Sequence, residues 1–358
     1  MSKIDVSDIQ GFALKGYNFP YARYLLLQLG EPEAARAWLR ELLTVVTTGE
    51  RWDIKPATTV NIAFTHKGFT QFDLPLATLL SFPLEFQQGM KARRQILGGW
   101  EPLATGEFLL GYADEAGELP VAPIPWLLGR NGTFMVYRKL HQNVGAFRNY
   151  LAAKGAQYSG GKEKLAAKFV GRWRDGTPLE LSPDQPDPAI VANNQKNTDF
   201  TYGADPGGLR CPVGAHIRRV NPRDASGFNG GLVNRRRIMR RGLPYGEYVP
   251  EGQPVNDRDE RGIVFMALNA SIFRQFEFVQ QQWIEYGNDA RQGNDKDFLL
   301  GNHGGQGRFV IQGDTNPENP PFLCGSLPNF VELRGGDYFF IPSLTALAMI
   351  ATQNVDPR

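Results

Sequence analysis

Roughly 100 residues between Gly155 and Gly262 show little helical or strand periodicity and are rich in Gly, Pro, Asn, Asp and Arg. Irregular stretches of that length are rare inside a compact domain and are usually functional when ordered. The segments on either side are regular, so the second part of the chain must fold as strand-and-helix units joined by a long insertion, at about 155–260. Thr133-Phe-Met-Val-Tyr-Arg-Lys-Leu140 reads as a strand, and Val144, Phe147 and Leu151 then recur at helical spacing. Gly262-Ile-Val-Phe-Met-Ala-Leu268 is another strand, followed by a helix with Ile272, Phe276, Val279 and Trp283 on one face. Arg308-Phe-Val-Ile311 and Tyr338-Phe-Phe-Ile341 close the chain as strands.

The first third gives a similar order. Gly11-Phe-Ala-Leu-Lys-Gly-Tyr17 reads as a short strand. Pro20-Tyr-Ala-Arg-Tyr-Leu-Leu-Leu27 is too apolar for a surface loop and is expected to pack beneath the elements after it. Glu31-Pro32 opens a helix with Trp38, Leu42 and Val45 on one face. Thr58 to Thr65 alternates, with Val60, Ile62 and Phe64 on one side, as in a half-buried strand. Residues 84–98 read as helical, and Glu107-Phe-Leu-Leu-Gly-Tyr112 as a further strand. The order of elements predicts an α+β fold of two halves, 1–130 and 131–358, each with an antiparallel sheet.

Composition excludes several classes. Hydrophobic content of 42% and charged content of 21% are those of a folded soluble protein, and a net charge of +2 gives no strong pull toward nucleic acid or membrane. Two cysteines, Cys211 and Cys324, make neither a disulfide framework nor a zinc site. The N-terminus lacks the apolar core of a secretory signal and no run reaches the length of a membrane span, so the cytoplasm is the expected compartment.

Three clusters in the insertion could carry chemistry. Gly171-Arg-Trp-Arg-Asp175-Gly176-Thr-Pro178 holds a carboxylate in a tight turn. Cys211-Pro-Val-Gly-Ala-His216-Ile-Arg218-Arg219 holds one of four histidines, after a Pro/Gly loop and before cations. Arg235-Arg-Arg-Ile-Met-Arg240-Arg241-Gly242-Leu-Pro-Tyr245-Gly246 is a basic run ending in a turn. Taken singly each has an ordinary reading: an Asp-Gly turn, a hydrogen-bonded structural His, a solvated or ion-paired Arg face. His66, His141 and His303 have no supporting pattern and read as structural or surface residues.

In this order the three clusters resemble the dye-decolourising peroxidases, which carry an Asp-Gly turn, then a loop His, then an Arg shortly before Pro-aromatic-Gly. The resemblance extends along nearly the whole chain, through Asp8-Ile-Gln-Gly11, Arg138-Lys-Leu140, the stretch Ala270 to Trp283, and Gly335-Gly-Asp-Tyr-Phe-Phe-Ile-Pro-Ser343. One departure stands out. The family's turn is commonly Gly-x-x-Asp-Gly, whereas here Arg172 occupies the first glycine's place and Gly171 lies one step earlier.

The resemblance implies two ferredoxin-like halves with antiparallel sheets, and haem held in the second half. It implies a peroxidase that reduces hydrogen peroxide and oxidises small aromatic or dye-like donors by one-electron steps. His216 would be the proximal ligand of the haem iron. No Cys-x-x-Cys-His occurs, so the haem (haem b, one per chain) would be non-covalent. Asp175 would be the distal acid–base residue, moving a proton between the peroxide oxygens, and Arg240 would stabilise the departing negative charge. Asp297, in Asn294-Asp-Lys-Asp297-Phe-Leu-Leu-Gly301, matches an Asp-x-Leu-x-Gly pattern in related chains and would accept the second N–H of His216, with Asp295 and Asp289 as competitors. Arg218 and Arg219 are candidates for the haem propionates, with a solvated or ion-paired role as the alternative. Tyr245, Tyr338 and Trp283 are candidates for passing electrons from bulky donors, with core packing as the ordinary reading.

Two other functions fit parts of the sequence. A haem-binding or haem-handling protein on the same scaffold would keep His216 without turnover. A nucleic-acid module would use residues 235–241, against which stand the near-neutral charge and the lack of an interleaved aromatic platform. The physiological donor stays open, and so does the oligomeric state, homo-oligomer included.

Overall fold

The computed structural model describes residues 4–88, 103–226, 230–313 and 320–355. Its central feature is an antiparallel sheet built on strand β1 (Thr133–Gln142), with β4 (Gly262–Asn269) on one side and β7 (Val331–Ile341) on the other. Two short strands from the insertion, β2 (Met239–Arg240) and β3 (Leu243–Tyr245), pair with the outer edge of β4. β5 (Gly307–Ile311) and β6 (Phe322–Leu327) form a separate hairpin. Every pairing is antiparallel, and the protein is α+β as expected.

Alternation along the strands sorts their side chains onto two faces. Phe134 and Val136 of β1, Ala267 of β4, and Tyr338 and Phe340 of β7 enter the largest core. Met135, Val264, Met266 and Leu268 point the other way, into a second core with Ile9, Ala13, Leu109 and Tyr112. Further along the first face come Leu140 and Gln142 of β1 and Ile263 and Phe265 of β4, and there the core gives way to a cavity. Helices Val144–Gly155 and Gly161–Val170 lie beside that cavity, packed on a third core with the hairpin. In it the rings of Phe169 and Phe298 stack with centroids 3.7 Å apart.

Strands β1, β4 and β5 and the helix after Asn143 lie where periodicity predicts them. The last strand starts earlier, at Val331, β6 and a C-terminal helix, Leu344–Ala351, go beyond the sequence expectation, and the stretch after β4 contains two π-helical turns, Phe273–Glu277 and Gln280–Ile284. The first third differs more. Gly11–Leu14 is one helical turn, not a strand, and its start is fixed by the Gln10 amide, which donates to Ile62 O and Pro342 O. Residues 58–65 are extended with Ile62 and Phe64 buried, yet only Phe64 pairs, with Phe340 at the margin of the sheet. Glu107–Tyr112 is turn and 3-10 helix. Alternation marks which residues face a core, but a strand also needs a continuous neighbour, and the extended segments here make only isolated backbone pairings, such as Phe64 with Phe340 and Leu110 with Asn131 and Gly132. No named strand therefore falls within the described part of 1–130.

Helix Pro32–Leu42 buries Ala35 and Leu39, with Trp38 and Leu42 packed beside them; Val45 lies beyond its end and is exposed. Tyr21, Leu25, Leu26 and Leu27 are exposed too, so the apolar segment at 20–27 does not pack underneath. The helix expected at 84–98 is seen at Leu84–Gln88, and its remainder lies outside the described residues. No described helix is long and apolar enough to cross a membrane.

Candidate active site

The cavity has a volume of about 340 Å³. Its walls are chiefly apolar: Leu140, Ile263 and Phe265 from the sheet, Val144 and Phe147 from the first helix, and Leu299, Leu300 and Phe330 from the chain after the π-helical turns. His216 and Arg240 both open onto it. A concave, largely apolar space with a few convergent polar groups is the usual form of a cofactor or ligand site.

His216 starts a single helical turn, His216–Arg219, after a tight bend in which Ala215 N–H donates to Pro212 O. Its Nδ1 lies 3.0 Å from Asp297 Oδ2 and 3.1 Å from Oδ1. Asp297 is fully buried, and its Oδ1 also accepts from the N–H groups of Leu299 (3.0 Å) and Leu300 (2.8 Å). Burial works to raise the carboxyl's pKa, but His216, Arg219 and the Leu300 N–H outweigh it, and the group is held below its ordinary value. With Nδ1 engaged by a fixed anion, Nε2 is the ring nitrogen left for a metal, the arrangement that orients a ligating imidazole and raises its basicity.

The scaffold behind this pair comes from the second π-helical turn. Helix ends leave their last carbonyls unpaired. Here Trp283 O accepts from Arg219 Nε at 2.8 Å, and Ile284 O accepts the Asp297 N–H at 2.7 Å. Both flanks of the His–Asp pair are thus tied to one turn. Gly171, which caps helix Gly161–Val170 at φ 96°, closes the other side: a Cβ there would lie 2.5 Å from Ile217, the residue next to His216.

Three expected residues are placed elsewhere. Asp175 is exposed and does not line the cavity; its carboxylate closes its own turn, accepting from Thr177 N and Thr177 Oγ1, both at 2.9 Å. In this structure the Asp-Gly turn directs its carboxylate to Thr177 and not to the cavity. Arg218 is buried and faces away, donating to Asp205 Oδ2, Asp205 O and Cys211 O. Arg219 is buried as well, spanning Trp283 O, Asp295 O and Tyr286 O. With their donors turned onto the protein's own acceptors, neither arginine reaches the cavity. Asp295 contributes its backbone to Arg219 and its carboxylate to Arg308, leaving Asp297 as the partner of His216.

Arg240 does reach the cavity. β2 pairs with β4 so that Arg240 lies opposite Ala267, on the face carrying Phe265 and Ile263. The residue is exposed, yet the protein crowded around it lowers the guanidinium's pKa from its ordinary value. Gln142 and Asn143 also line the cavity, and neither belongs to a motif in the sequence; the face parity of β1 past Leu140 is the signal that marks Gln142. The rest of the basic run is absorbed internally. Arg235 pairs with Asp114 and Glu118, Arg236 donates to Arg274 O over the Phe278 ring, and Arg241 donates to Phe12 O.

His66, His141 and His303 each bond a backbone carbonyl, of Leu79, Asp257 and Phe298. Tyr338 and Trp283 are buried in cores, and the Tyr338 hydroxyl donates to Glu277; Tyr245 is half-buried with Lys139 over its ring. A second cavity, of about 470 Å³, is more polar and is lined by Lys164, Lys168, Tyr158 and Gln312 but no histidine.

Fold and site together define an α+β protein with a carboxylate-backed histidine in the wall of an apolar cavity beneath an antiparallel sheet. No family model matches the chain. Among curated proteins it is 31% identical over 287 residues to dye-decolorizing peroxidase msp1 of Mycetinis scorodonius, covering 73% of this chain and 53% of that protein. It is 35% identical over 274 residues to AauDyP1 of Auricularia auricula-judae, covering 70% and 51%. It is 32% identical over 294 residues to the multifunctional dye peroxidase DyP2 of an Amycolatopsis species, covering 75% and 58%. The chain spans about half the length of the curated relatives it matches. Solved structures share the fold: a dye-decolorizing peroxidase in complex with 2,6-dimethoxyphenol (TM-score 0.78, 22% identity, covering 98% of this chain and all of that one) and AauDyP with imidazole (TM-score 0.76, 23% identity, the same coverage). Over about 70% of its length the chain is thus similar in sequence to curated dye-decolorizing peroxidases, and it shares their fold.

Proposed function

We propose that the protein binds one non-covalent haem b in the cavity, with His216 as the iron's protein ligand, and reduces hydrogen peroxide at the expense of aromatic or dye-like donors. The observation that carries this reading is the His216–Asp297 pair, positioned by backbone N–H groups and facing an apolar space. The residues fit the group: one imidazole with Nε2 available, flat apolar walls from Phe265, Leu299 and Phe147, and a cation at Arg240. Bound haem supplies the two-electron reaction with peroxide and the one-electron oxidations that come after it. The chain's own part is to fix the imidazole, keep it electron-rich through Asp297, exclude bulk water and present Arg240. Two buried free thiols fit a reducing compartment, the cytoplasm.

A haem-holding role without rapid turnover is the second reading, favoured by the position of Asp175 outside the cavity. The visible spectrum of haem-loaded protein, before and after stoichiometric peroxide, tests both. A Soret band that changes promptly with peroxide, and that is lost or strongly altered in His216→Ala, supports the peroxidase. A band that depends on His216 but ignores peroxide supports haem holding, and a band indifferent to His216→Ala overturns the ligand assignment.

A further inference from the structure

The second cavity stands apart from His216. It shares no lining residue with the first, and it opens where helix Gly161–Val170 meets the β5–β6 hairpin and the chain at Leu209. Lys164 and Lys168 lie four residues apart on that helix, hence on one face, and both line the cavity. Apolar surface comes from Ile311, Leu209, Tyr158 and Phe322, the last two with ring centroids 5.1 Å apart.

Lys168 is difficult to account for as packing. It is 4% exposed, and its Nζ donates to Leu209 O at 2.8 Å and to Arg210 O at 2.6 Å. Lysine is almost never fully buried unless paired, because taking an ammonium out of water is costly. The two carbonyls favour the charged form and use two of its three donors; no third acceptor is present among the described residues. The acids around it are engaged elsewhere. Asp205 accepts from Arg218 and from the N–H groups of Leu209, Arg210 and Cys211, and Asp184 pairs with Lys164 from an exposed position, where an ion pair contributes little. Burial and then the charge of Lys164 push the Lys168 pKa down, so the two ammoniums repel each other. Like charges at this spacing destabilise a helix. An anion reaching both would relieve the repulsion and take the unused donor. The rest of such a ligand would meet two aromatic rings and Ile311, which suits a flat apolar body better than a hydrated inorganic ion.

We propose that this cavity binds small arylcarboxylates, with the carboxylate held by Lys168 and Lys164 and the ring lodged against Tyr158 and Phe322. The site does not depend on haem, because nothing in its wall belongs to the His216 cavity.

Isothermal titration calorimetry of the whole chain with sodium benzoate, with and without added haem, tests it. Saturable one-to-one binding of equal affinity in both preparations is expected. Lys168→Met should weaken it by at least about tenfold, the loss of a hydrogen bond to a charged group. Lys164→Glu, a change at a half-buried position that leaves the loop at Leu209 untouched, should do the same. Benzamide, of the same shape without the charge, and acetate, with the charge but no ring, should each bind at least about tenfold more weakly than benzoate. Absence of saturable benzoate binding overturns the proposal, as does an affinity that survives both lysine substitutions. Binding that disappears when haem is added, or that falls in Arg240→Met instead, would put benzoate in the first cavity and overturn it too. Inorganic phosphate binding as tightly as benzoate would leave a simple anion site and overturn the arylcarboxylate class.

Discussion

At the residue scale, the site depends on a few contacts that tolerate no substitute. Gly171 is needed twice over, for its left-handed backbone and for the close approach of Ile217 and the Cys211 sulfur. Gly171→Ala should cost about 1–3 kcal/mol in urea unfolding and broaden or shift the Soret band of haem-loaded protein, because the strain falls next to His216. Asp205 holds the His216 loop from below, accepting from the N–H groups of Leu209, Arg210 and Cys211 and from Arg218. Asp205→Ala leaves Arg218 buried without its carboxylate, and a loss of about 3–5 kcal/mol is expected from chemical denaturation. His216 and Arg240 are legible as candidates because a loop histidine and a late arginine stand in a recognisable order. The position of Asp175 is not legible in sequence, because an Asp-Gly turn looks the same whether its carboxylate faces a cavity or, as here, accepts from its own turn.

At the scale of elements, two devices matter. The π-helical turn Gln280–Ile284 offers carbonyls to Arg219 and Asp297 together, and π turns often occur where a site is being positioned. Sequence periodicity finds a helix there but has no way to separate α from π winding. The second device is an ion network in which Arg274 and Arg235 both reach Asp114, and Arg274 also reaches Glu107, tying residues 105–118 to the start of the π-helical region and the basic run. Burial opposes ionisation of Asp114, but two backbone N–H groups and the two arginines hold its pKa down to about 2. A carboxyl depressed in the folded state stabilises the protein above its unfolded pKa, and that contribution is lost as pH falls through the folded value. Stability of the wild type should therefore drop between about pH 4 and pH 2 by about 2 kcal/mol on this account. Asp114→Asn should be less stable at neutral pH and flatter across that window, as measured by urea unfolding at stepped pH.

At the scale of the molecule, one sheet is shared by the whole chain. Its strands come from residues after 130, but the cores on its two faces are completed by Ile9, Ala13, Phe64, Phe69, Phe82 and Leu109. The two halves drawn from element order are therefore interleaved in packing, even though the chain has the expected α+β fold. A fragment of residues 131–358 should lose cooperative unfolding and bind a hydrophobic dye such as ANS, because both sheet faces would be left uncovered. Sharp, reversible unfolding of that fragment with native near-UV dichroism would show that the halves fold independently.

By itself the sequence determined what local patterning can determine. It set the positions of β1, β4, the strands at 308–311 and 338–341 and the helix after Asn143, because side-chain alternation and helical spacing are local properties. It also marked the long irregular insertion containing His216 as the place to look for a site. Tertiary structure decided what depends on neighbours. It left residues 58–65 with a single bridge instead of a strand, and it turned Arg218 and Arg219 inward onto carbonyls. It brought Asp297 to His216 across 81 positions of chain and placed Arg240 on the same cavity as His216. These outcomes rest on long-range pairing and on which group reaches a donor or acceptor first in three dimensions, and that is not written in any local stretch of sequence.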